Sequence, residues 1–157
     1  MLLENQCGEV LEISFNMEIF IPFNVPSLKN SKVKTSKGIF MSKTCRNYLA
    51  SLNITYYSSR DKIVKVKKGE VNKFSEAFKD WKTPDKQIVL GFHFVRGSRH
   101  SWDLGNISQI IMDLMTAHKL IEDDNMDWVV PQAYKKDGKY YSYSKTEPGV
   151  FIKILEE

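Results

Sequence analysis

The stretch from Trp102 to Asp127, WDLGNISQIIMDLMTAHKLIEDDNMD, constrains the fold more than any other part of the chain. Its apolar residues recur at spacings of three and four, which predicts an amphipathic helix with one buried face. That face consists of Ile107, Ile110, Ile111, Leu114 and His118. Along the flank, Asn106, Gln109 and Asp113 follow a similar spacing, so we expect them to face one groove.

The same stretch is acidic, whereas the chain of 157 residues carries a formal net charge of +4. It contains one lysine, Lys119, and six acidic residues: Asp103, Asp113, Glu122, Asp123, Asp124 and Asp127. Carboxylates after the end of a helix oppose its dipole, so something positive should offset them. A cation facing an anionic ligand is the pairing that metal-dependent nucleic-acid chemistry uses. The alternative is structural, with Asp103 only a helix cap and Asp123-Asp124-Asn125 only a polar turn.

The rest of the pattern predicts a single α+β domain over residues 1–157, with a mixed sheet covered by helices mainly on one face. Besides the helix after Asp103, helices are predicted at 42–60 and 70–80. The predicted strands are 10–22, 87–95, one starting at 128–131, a pair around the Asp137-Gly138 turn, and 149–155.

The segment QIVLGFHFV at 87–95 is the clearest central strand, and the polar loop 96–101 leads from it directly into Asp103. A strand that delivers an acidic residue to a helix start is a common way to present a functional group from a rigid frame. Arg99 and His100 in this loop lie close enough in sequence to Asp103 to contact a phosphate there.

The loop 24–42 carries four lysines, Lys29, Lys32, Lys34 and Lys37, and no acidic residue. Such a run is typical either of a solvated loop or of a mobile arm that follows a phosphate backbone. Beside the acidic cluster the second interpretation is favoured, and Arg46 is expected to project near this loop.

Other classes of protein are not indicated. The two cysteines, Cys7 and Cys45, have no CxxC spacing, which fits a reducing cytosol better than a disulfide scaffold or zinc site. There is no signal-peptide pattern and no apolar run near the ~20 residues of a membrane span. We therefore expect a cytoplasmic protein.

The order Asp103-Leu104-x-Asn106, then a helix, then Asp123-Asp124 resembles the RusA family of Holliday junction resolvases, small phage-borne endonucleases that cut four-way DNA junctions using magnesium. The match runs without a gap and includes Asp113. The segment Val25-Pro26-Ser27-Leu28-Lys29-Asn30-Ser31-Lys32 is similar to the family's Pro-Ser-x-x-Asn loop, whereas residues 43–86 match only loosely.

The resemblance implies a RusA-like fold, a homodimer, and a Mg²⁺ site that includes Asp103 and Asp124. Asp123 is the reserve ligand, and Asn106 offers a neutral oxygen, which magnesium accepts because it takes few carboxylates and fills its other positions with water and phosphate. With the basic segment, it implies contacts to branched DNA by Lys29, Asn30, Lys32, Lys34, Lys37, Arg46 and Arg99.

Two positions depart from the family pattern. Gly105 replaces the second aspartate of Asp-Leu-Asp-Asn, and Gln109 replaces a lysine that would stabilise charge at the scissile phosphate. The leading hypothesis is a Mg-dependent junction endonuclease. The alternatives are a branched-DNA-binding protein that has lost cleavage, and a protein whose acidic cluster binds another protein.

Overall fold

A computed structural model describes residues 2–4, 10–12, 17–27, 32–35, 38–57 and 65–157. In this part of the chain the strands are β1 (Leu2–Glu4), β2 (Val10–Glu12), β3 (Ile19–Pro22), β4 (Lys32–Thr35), β5 (Gly38–Met41), β6 (Tyr56–Tyr57), β7 (Lys65–Val66), β8 (Ile88–Arg96), β9 (Val129–Ala133), β10 (Ser142–Tyr143) and β11 (Gly149–Glu156). The helices are α1 (Lys43–Ser51), α2 (Lys73–Ala77) and α3 (Leu104–Ala117).

Strand β8 is the centre of a five-stranded mixed sheet. On one edge it pairs antiparallel with β11, which in turn pairs antiparallel with β3. On its other edge β8 pairs parallel with β9 near its start and with β10 at its end. The predicted α+β fold with a mixed sheet is confirmed, and 87–95 is its central strand as expected.

One face of the sheet and the three helices enclose the core. Alternate residues of β8 supply the largest side chains on that face: Ile88, Leu90, Phe92 and Phe94. The predicted stripe of α3 packs against them, and four of its members are fully buried: Ile107, Ile110, Ile111 and Leu114. Buried side chains of α1 and α2, including Leu49 and Phe74, belong to the same cluster. Burying these apolar surfaces is the main force that holds α3 on the sheet.

The unit β8–α3–β9 is a crossover between two parallel strands, which requires a long connection such as a helix. Helix α3 therefore runs antiparallel to β8 and brings the chain back to the level at which β9 starts. Lys119, with a φ of 59°, lies in the turn after the helix. His118 was expected to be packed and is half-buried, with its Nδ1 2.7 Å from the carbonyl of Leu114.

Two predicted helices are shorter than expected. Helix α1 ends at Ser51, because Asn53 has a φ of 58° and the chain then forms β6. Helix α2 begins only after Asn72, whose side chain accepts the N–H of Ser75 in a capping box. Val71 falls within the predicted helix 70–80, but it lies before this cap and is 79% exposed.

The basic loop 24–42 also differs from its prediction, because β4 and β5 pair antiparallel within it. Lysines alternate with Val33 and Thr35 along β4, a pattern compatible with an exposed edge strand as well as with a loop. The predicted strand 10–22 corresponds to β2 and β3, and residues 13–16 between them lie outside the described part.

Cys45 is a free, buried thiol on α1, whereas Cys7 lies outside the described residues. Burial raises the pKa of the Cys45 thiol to about 11, with a smaller contribution from the negative charge of Asp113. The thiol is therefore protonated at neutral pH and packs as an apolar group. Over the described ranges, no helix combines the length and apolarity that a bilayer crossing requires.

Candidate acidic site on the flank of helix α3

Asp103 is the N-cap of α3. Its backbone is extended, and Oδ1 accepts the N–H of Asn106 at 3.2 Å, which satisfies one of the free donors of the first turn. Asp103 therefore caps the helix, as the structural alternative expected, and its carboxylate remains exposed at the surface. One carboxylate can cap a helix and still face a ligand with its other oxygen.

Asp124 reaches α3 because the chain after the helix folds back along it. The Nε2 group of Gln109 donates to Oδ2 of Asp124 at 2.5 Å and to Oδ1 of Asp113 at 2.8 Å. Gln109 lies eight residues before the end of α3 at Ala117, which is roughly 12 Å along the axis. One amide thus joins a carboxyl group of the helix to a carboxyl group of the following turn.

The predicted flank is confirmed in part, because Gln109 and Asp113 share this groove. Burial acts to raise the pKa of Asp124. Hydrogen bonding, which also connects the carboxyl groups of Asp113 and Asp124, acts to lower this pKa and has the larger combined effect. The result is a pKa below the ordinary value of 3.8, and the side chains that lower it are Asp113, Asp123 and Gln109.

Because the pKa of Asp124 is lowered, its carboxylate is charged at neutral pH. Adjacent carboxylates avoid mutual repulsion by sharing a proton, and a divalent cation between them has the same effect.

Asp123 is exposed and holds the turn in place. Its Oδ1 accepts the backbone N–H of Asp124 at 2.8 Å, and its Oδ2 accepts Nδ2 of Asn125 at 3.2 Å. These are the bonds of the polar turn that was the structural alternative for this segment. Asp123 therefore supports Asp124 and faces solvent beside it.

The structure does not join Asp103 to Asp124 by a hydrogen bond. Asp103 precedes Gln109 by six residues, which corresponds to roughly 9 Å along the axis of α3. Asn106, which lies between Asp103 and Gln109 in sequence, is half-buried. Of the two predicted ligands, only Asp124 interacts with further carboxyl groups.

Within the described ranges, no three side chains of the carboxylate, imidazole or thiol type form a group suited to hold a metal ion. The donor set is instead two carboxyl groups, Asp113 and Asp124, with exposed Asp123 beside them. All of these are hard oxygen donors, and one or two carboxylates are what Mg²⁺ takes from a protein when phosphate and water complete its octahedron. The residues therefore fit magnesium and do not suit softer metals.

Two of the predicted DNA contacts have described side chains. Arg46 is exposed on α1, and Arg99 is exposed in the loop after β8. Lys32 and Lys34 lie on β4, where only the backbone is described. Lys29, Asn30 and Lys37 lie outside the described residues.

Sequence reasoning did not assign a role to Arg96, the last residue of β8. Its side chain is 8% exposed, and Nη1 donates to the carbonyl of Val25 at 2.7 Å. Its guanidinium also lies 5.6 Å from the ring centroid of Trp102. Burial lowers the pKa of Arg96. An arginine at the end of a buried strand is a sequence pattern from which such a buried hydrogen bond to a neighbouring segment could have been predicted.

A cluster of exposed tyrosines was also missed. Tyr140, Tyr141 and Tyr143 are 57%, 52% and 41% exposed and lie on the opposite side of Trp102 from the core. Their sequence pattern, two adjacent tyrosines and a third after one serine, follows the Asp137-Gly138 turn. The turn is present, with positive φ at both residues. The predicted pair of strands around it is not, because only an isolated bridge joins Lys136 to Lys139 and β10 pairs with β8 instead.

In comparisons with known proteins, no family model matches the chain, and no curated protein matches its sequence.

Proposed function

We propose that the protein is a Mg-dependent structure-selective endodeoxyribonuclease that cuts four-way DNA junctions in recombination and repair. The observation that carries the proposal is the Gln109 bridge, which places the charged Asp124 carboxylate against Asp113 on the flank of α3. The motif resemblance supports the same assignment, because Asp103, Asn106 and Asp124 are the matched positions.

The residues that would hold Mg²⁺ are Asp103 and Asp124, with Asp123 and Asn106 assisting. Asp113 is the further carboxyl group that contacts Asp124. When bound, the ion would supply polarisation of the scissile phosphate and a lowered pKa for the attacking water. The protein's own contribution is orientation, because Gln109 and the backbone bond to Asp123 fix the direction of the Asp124 carboxylate.

DNA binding would depend on the basic groups at the same end of the molecule. Arg99 follows the central strand and precedes Asp103 by four residues, so it is suited to contact a phosphate near the carboxylates. Arg46 and the lysines Lys29, Lys32, Lys34 and Lys37, with Asn30, would follow the backbone further away. A junction has near two-fold symmetry and needs paired nicks, so a homodimer with two sites is the expected assembly.

The test is cleavage of a fluorescence-labelled four-way junction with and without magnesium. We expect Asp124→Asn to reduce the Mg-dependent rate by about 100-fold or more, because it replaces an ionic ligand with a neutral amide. Glu122→Gln is the matched control, since Glu122 is an exposed acid in the same turn outside the proposed ligand set. Equal cutting by Asp124→Asn and the wild type would remove Asp124 from the mechanism.

One observation favours a second function, a branched-DNA-binding protein without cleavage. The neutral amide of Gln109 donates to the carboxyl groups of both Asp113 and Asp124, whereas the family pattern has a lysine at this position. Such a protein would bind junctions with steep salt dependence and show no nicking when magnesium is added. Gel shifts of a junction and a linear duplex at matched salt concentrations would detect it. Absence of binding to either DNA would favour the protein-partner alternative.

A gain-of-function variant separates these two candidates further. Gly105 is exposed, and a Cβ there would lie 3.2 Å from Oδ1 of Asp103, so position 105 accepts a side chain when the Asp103 carboxylate shifts by a few tenths of an ångström. If the chain binds junctions without cutting them, Gly105→Asp combined with Gln109→Lys should produce Mg-dependent nicking. If the wild type already cuts, this double variant changes the rate of an existing activity.

A further inference from the structure

A cleft of about 510 Å³ lies beside the start of α3, between the loop after β8 and the segment that contains β10. It is lined by Arg99 and His100 from the loop after β8, by Trp102, and by Tyr141 and Tyr143. Contiguous exposed apolar surface of this kind often marks a binding site. The cleft is distinct from the carboxyl cluster of Gln109, Asp113 and Asp124.

Tyr141 and Tyr143 face the cleft together because Ser142 between them points inward. The hydroxyl of Ser142 is 2.7 Å from Nε2 of His93, a buried residue of β8 whose Nδ1 is 3.0 Å from the carbonyl of Tyr134. Tyr141 immediately precedes β10 and Tyr143 ends it, and both side chains line the cleft. His93 thus has a role that the sequence did not predict, since it fixes the direction of both rings.

Each tyrosine is held from one side and open on the other. The ring of Tyr141 packs edge-on against Trp102, with centroids 5.2 Å apart and an interplanar angle of 81°. The guanidinium of Arg99 lies 4.2 Å from the ring centroid of Tyr143. Trp102 in turn contacts Phe94 of the core at 5.6 Å. The rings are therefore supported by the fold while more than 40% of each side chain stays exposed.

The charge of the segment that contains β10 suits a polyanion. The segment 135–145 contains four lysines and one acidic residue: Lys135, Lys136, Lys139, Lys145 and Asp137. Lys136 is paired with Glu18, and the other three lysines are exposed. The carboxylate nearest in sequence is Asp103, which directly follows Trp102. Aromatic rings interleaved with cations are the usual surface for single-stranded nucleic acid, because bases stack while cations follow the phosphates.

We propose that this cleft binds single-stranded DNA by stacking an unpaired base against the exposed rings of Tyr141 and Tyr143. Arg99 covers one face of Tyr143 and offers its own planar guanidinium and positive charge to the same strand. Bases inside a duplex have no free faces, so the site selects unpaired ones.

This assignment rests on the proposed DNA partner and gives it a more specific form. Unpaired bases occur at branch points and at frayed ends, and the cleft adjoins Asp103. The two sites would then act on one strand, with the cleft holding a base next to the carboxylates. Because the aromatic site needs neither magnesium nor Asp124, its test is independent of cleavage.

The test is fluorescence anisotropy of a labelled oligothymidylate of about 12 nucleotides, a length in the range of known single-strand sites, without magnesium. The comparison is an abasic oligonucleotide of equal length, which carries the same charge and no bases. We expect the wild type to bind the oligothymidylate about tenfold more tightly, as one stacked base would give. Equal affinity for the two would overturn the proposal, since only phosphate contacts would remain.

The variants are Tyr141→Leu and Tyr143→Leu, which keep an apolar side chain and remove the ring. Each should lower oligothymidylate affinity about tenfold and leave abasic affinity unchanged, whereas Tyr141→Phe and Tyr143→Phe should bind as the wild type does. Met126→Ala, at a residue that is 61% exposed in the acidic turn, is the control for an unrelated surface change. Unchanged binding by both leucine variants would overturn the site.

Two further outcomes separate the alternatives. Tighter binding of the matching oligouridylate RNA would overturn the assignment to DNA, because only RNA carries the 2′-hydroxyl. Loss of junction cutting in Asp124→Asn with intact oligothymidylate binding would support both proposals as separate sites. Intact single-strand binding by a wild type that cuts no junction would contradict the nuclease proposal alone.

Discussion

Asp103 and Asp124 each bond to α3 and are held in different ways. Asp103 is exposed, and its hydrogen bond goes to the backbone three residues later in its own helix. Asp124 is half-buried, and its side chain is bonded to Gln109, which lies fifteen residues earlier, and to Asp113. The first arrangement is a property of one helix end. The second exists only when the chain after α3 folds back along it.

This difference separates what each residue contributes. A cap forms wherever the local sequence permits, so it adds little information about the site. A half-buried group of two carboxyl groups and an amide costs free energy to desolvate, and it persists only if its hydrogen bonds or a ligand offset that cost. The Asp124 side is therefore where a cation would change the protein most.

The largest effect is expected for Gln109→Leu, which keeps the size of the side chain and removes both donated hydrogen bonds. A half-buried carboxylate would lose its amide partner, so we expect the free energy of unfolding to fall by about 2 kcal/mol. Urea titration at neutral pH measures this. If Gln109→Leu loses no more free energy of unfolding than Asp103→Ala, the hydrogen bonds around Asp124 stabilise the fold no more than the exposed cap does. Added magnesium should recover part of the loss if the carboxyl groups bind it.

Asp103→Ala should lower the free energy of unfolding by about 1 kcal/mol, the usual value for loss of an N-cap. Asp103→Ser keeps an oxygen that can accept the N–H of Asn106, so it should recover most of the stability. Urea titration of the pair separates the cap from any role of the charge. If Asp103 is also a ligand, Asp103→Ser will restore stability and leave junction cutting impaired.

The dependence of stability on pH should identify Asp124 as the charged partner. Its pKa is lowered in the folded protein, so the unfolded chain binds the proton more strongly. The stabilisation is complete above the ordinary value of 3.8 and is lost as the pH falls through the lower, folded pKa. Thermal unfolding between about pH 5 and pH 2.5 should therefore show a steeper acid loss in the wild type than in Asp124→Asn. Parallel curves would contradict the assignment of the charge.

The smallest effect is expected for Gly105→Asp. Replacing glycine in the first turn gains helix propensity and places negative charge at the positive end of the dipole. Proximity to Oδ1 of Asp103 opposes this gain, so we expect a net stabilisation of a few tenths of a kcal/mol. Thermal melts at low and high salt measure it, because salt screens both the repulsion and the dipole interaction and leaves the gain in helix propensity. A loss of stability would show that position 105 does not accept the side chain.

The sequence was sufficient for the parts of the fold that depend on local pattern. The stripe from Ile107 to Leu114, the central strand and the turn at Asp137-Gly138 each have a periodicity or dipeptide that matches one structure. The cap at Asp103 belongs to the same class, because its partner is three residues away. In contrast, α1 and α2 were predicted too long, since the left-handed φ of Asn53 and the Asn72 capping box had not been recognised as helix boundaries.

The site was less predictable because its bonds connect distant residues. Gln109 was interpreted as a departure from a family pattern, whereas it is the residue that joins Asp113 to Asp124. Ser142 and His93 fix the tyrosines across 49 positions of sequence, a relation that no local pattern carries. Pairings of this kind follow from the parallel placement of β10 beside β8 and not from the composition of either strand.

Arg96 has a consequence for how the basic segment is presented. Its buried bond to the Val25 carbonyl fastens the chain to the end of β8, only a few residues before the first lysine of that segment. The loop that leads to Asp103 departs from the same end of β8. The start of the basic segment and the start of this loop are therefore joined through one buried side chain, so a substitution of Arg96 would disturb both.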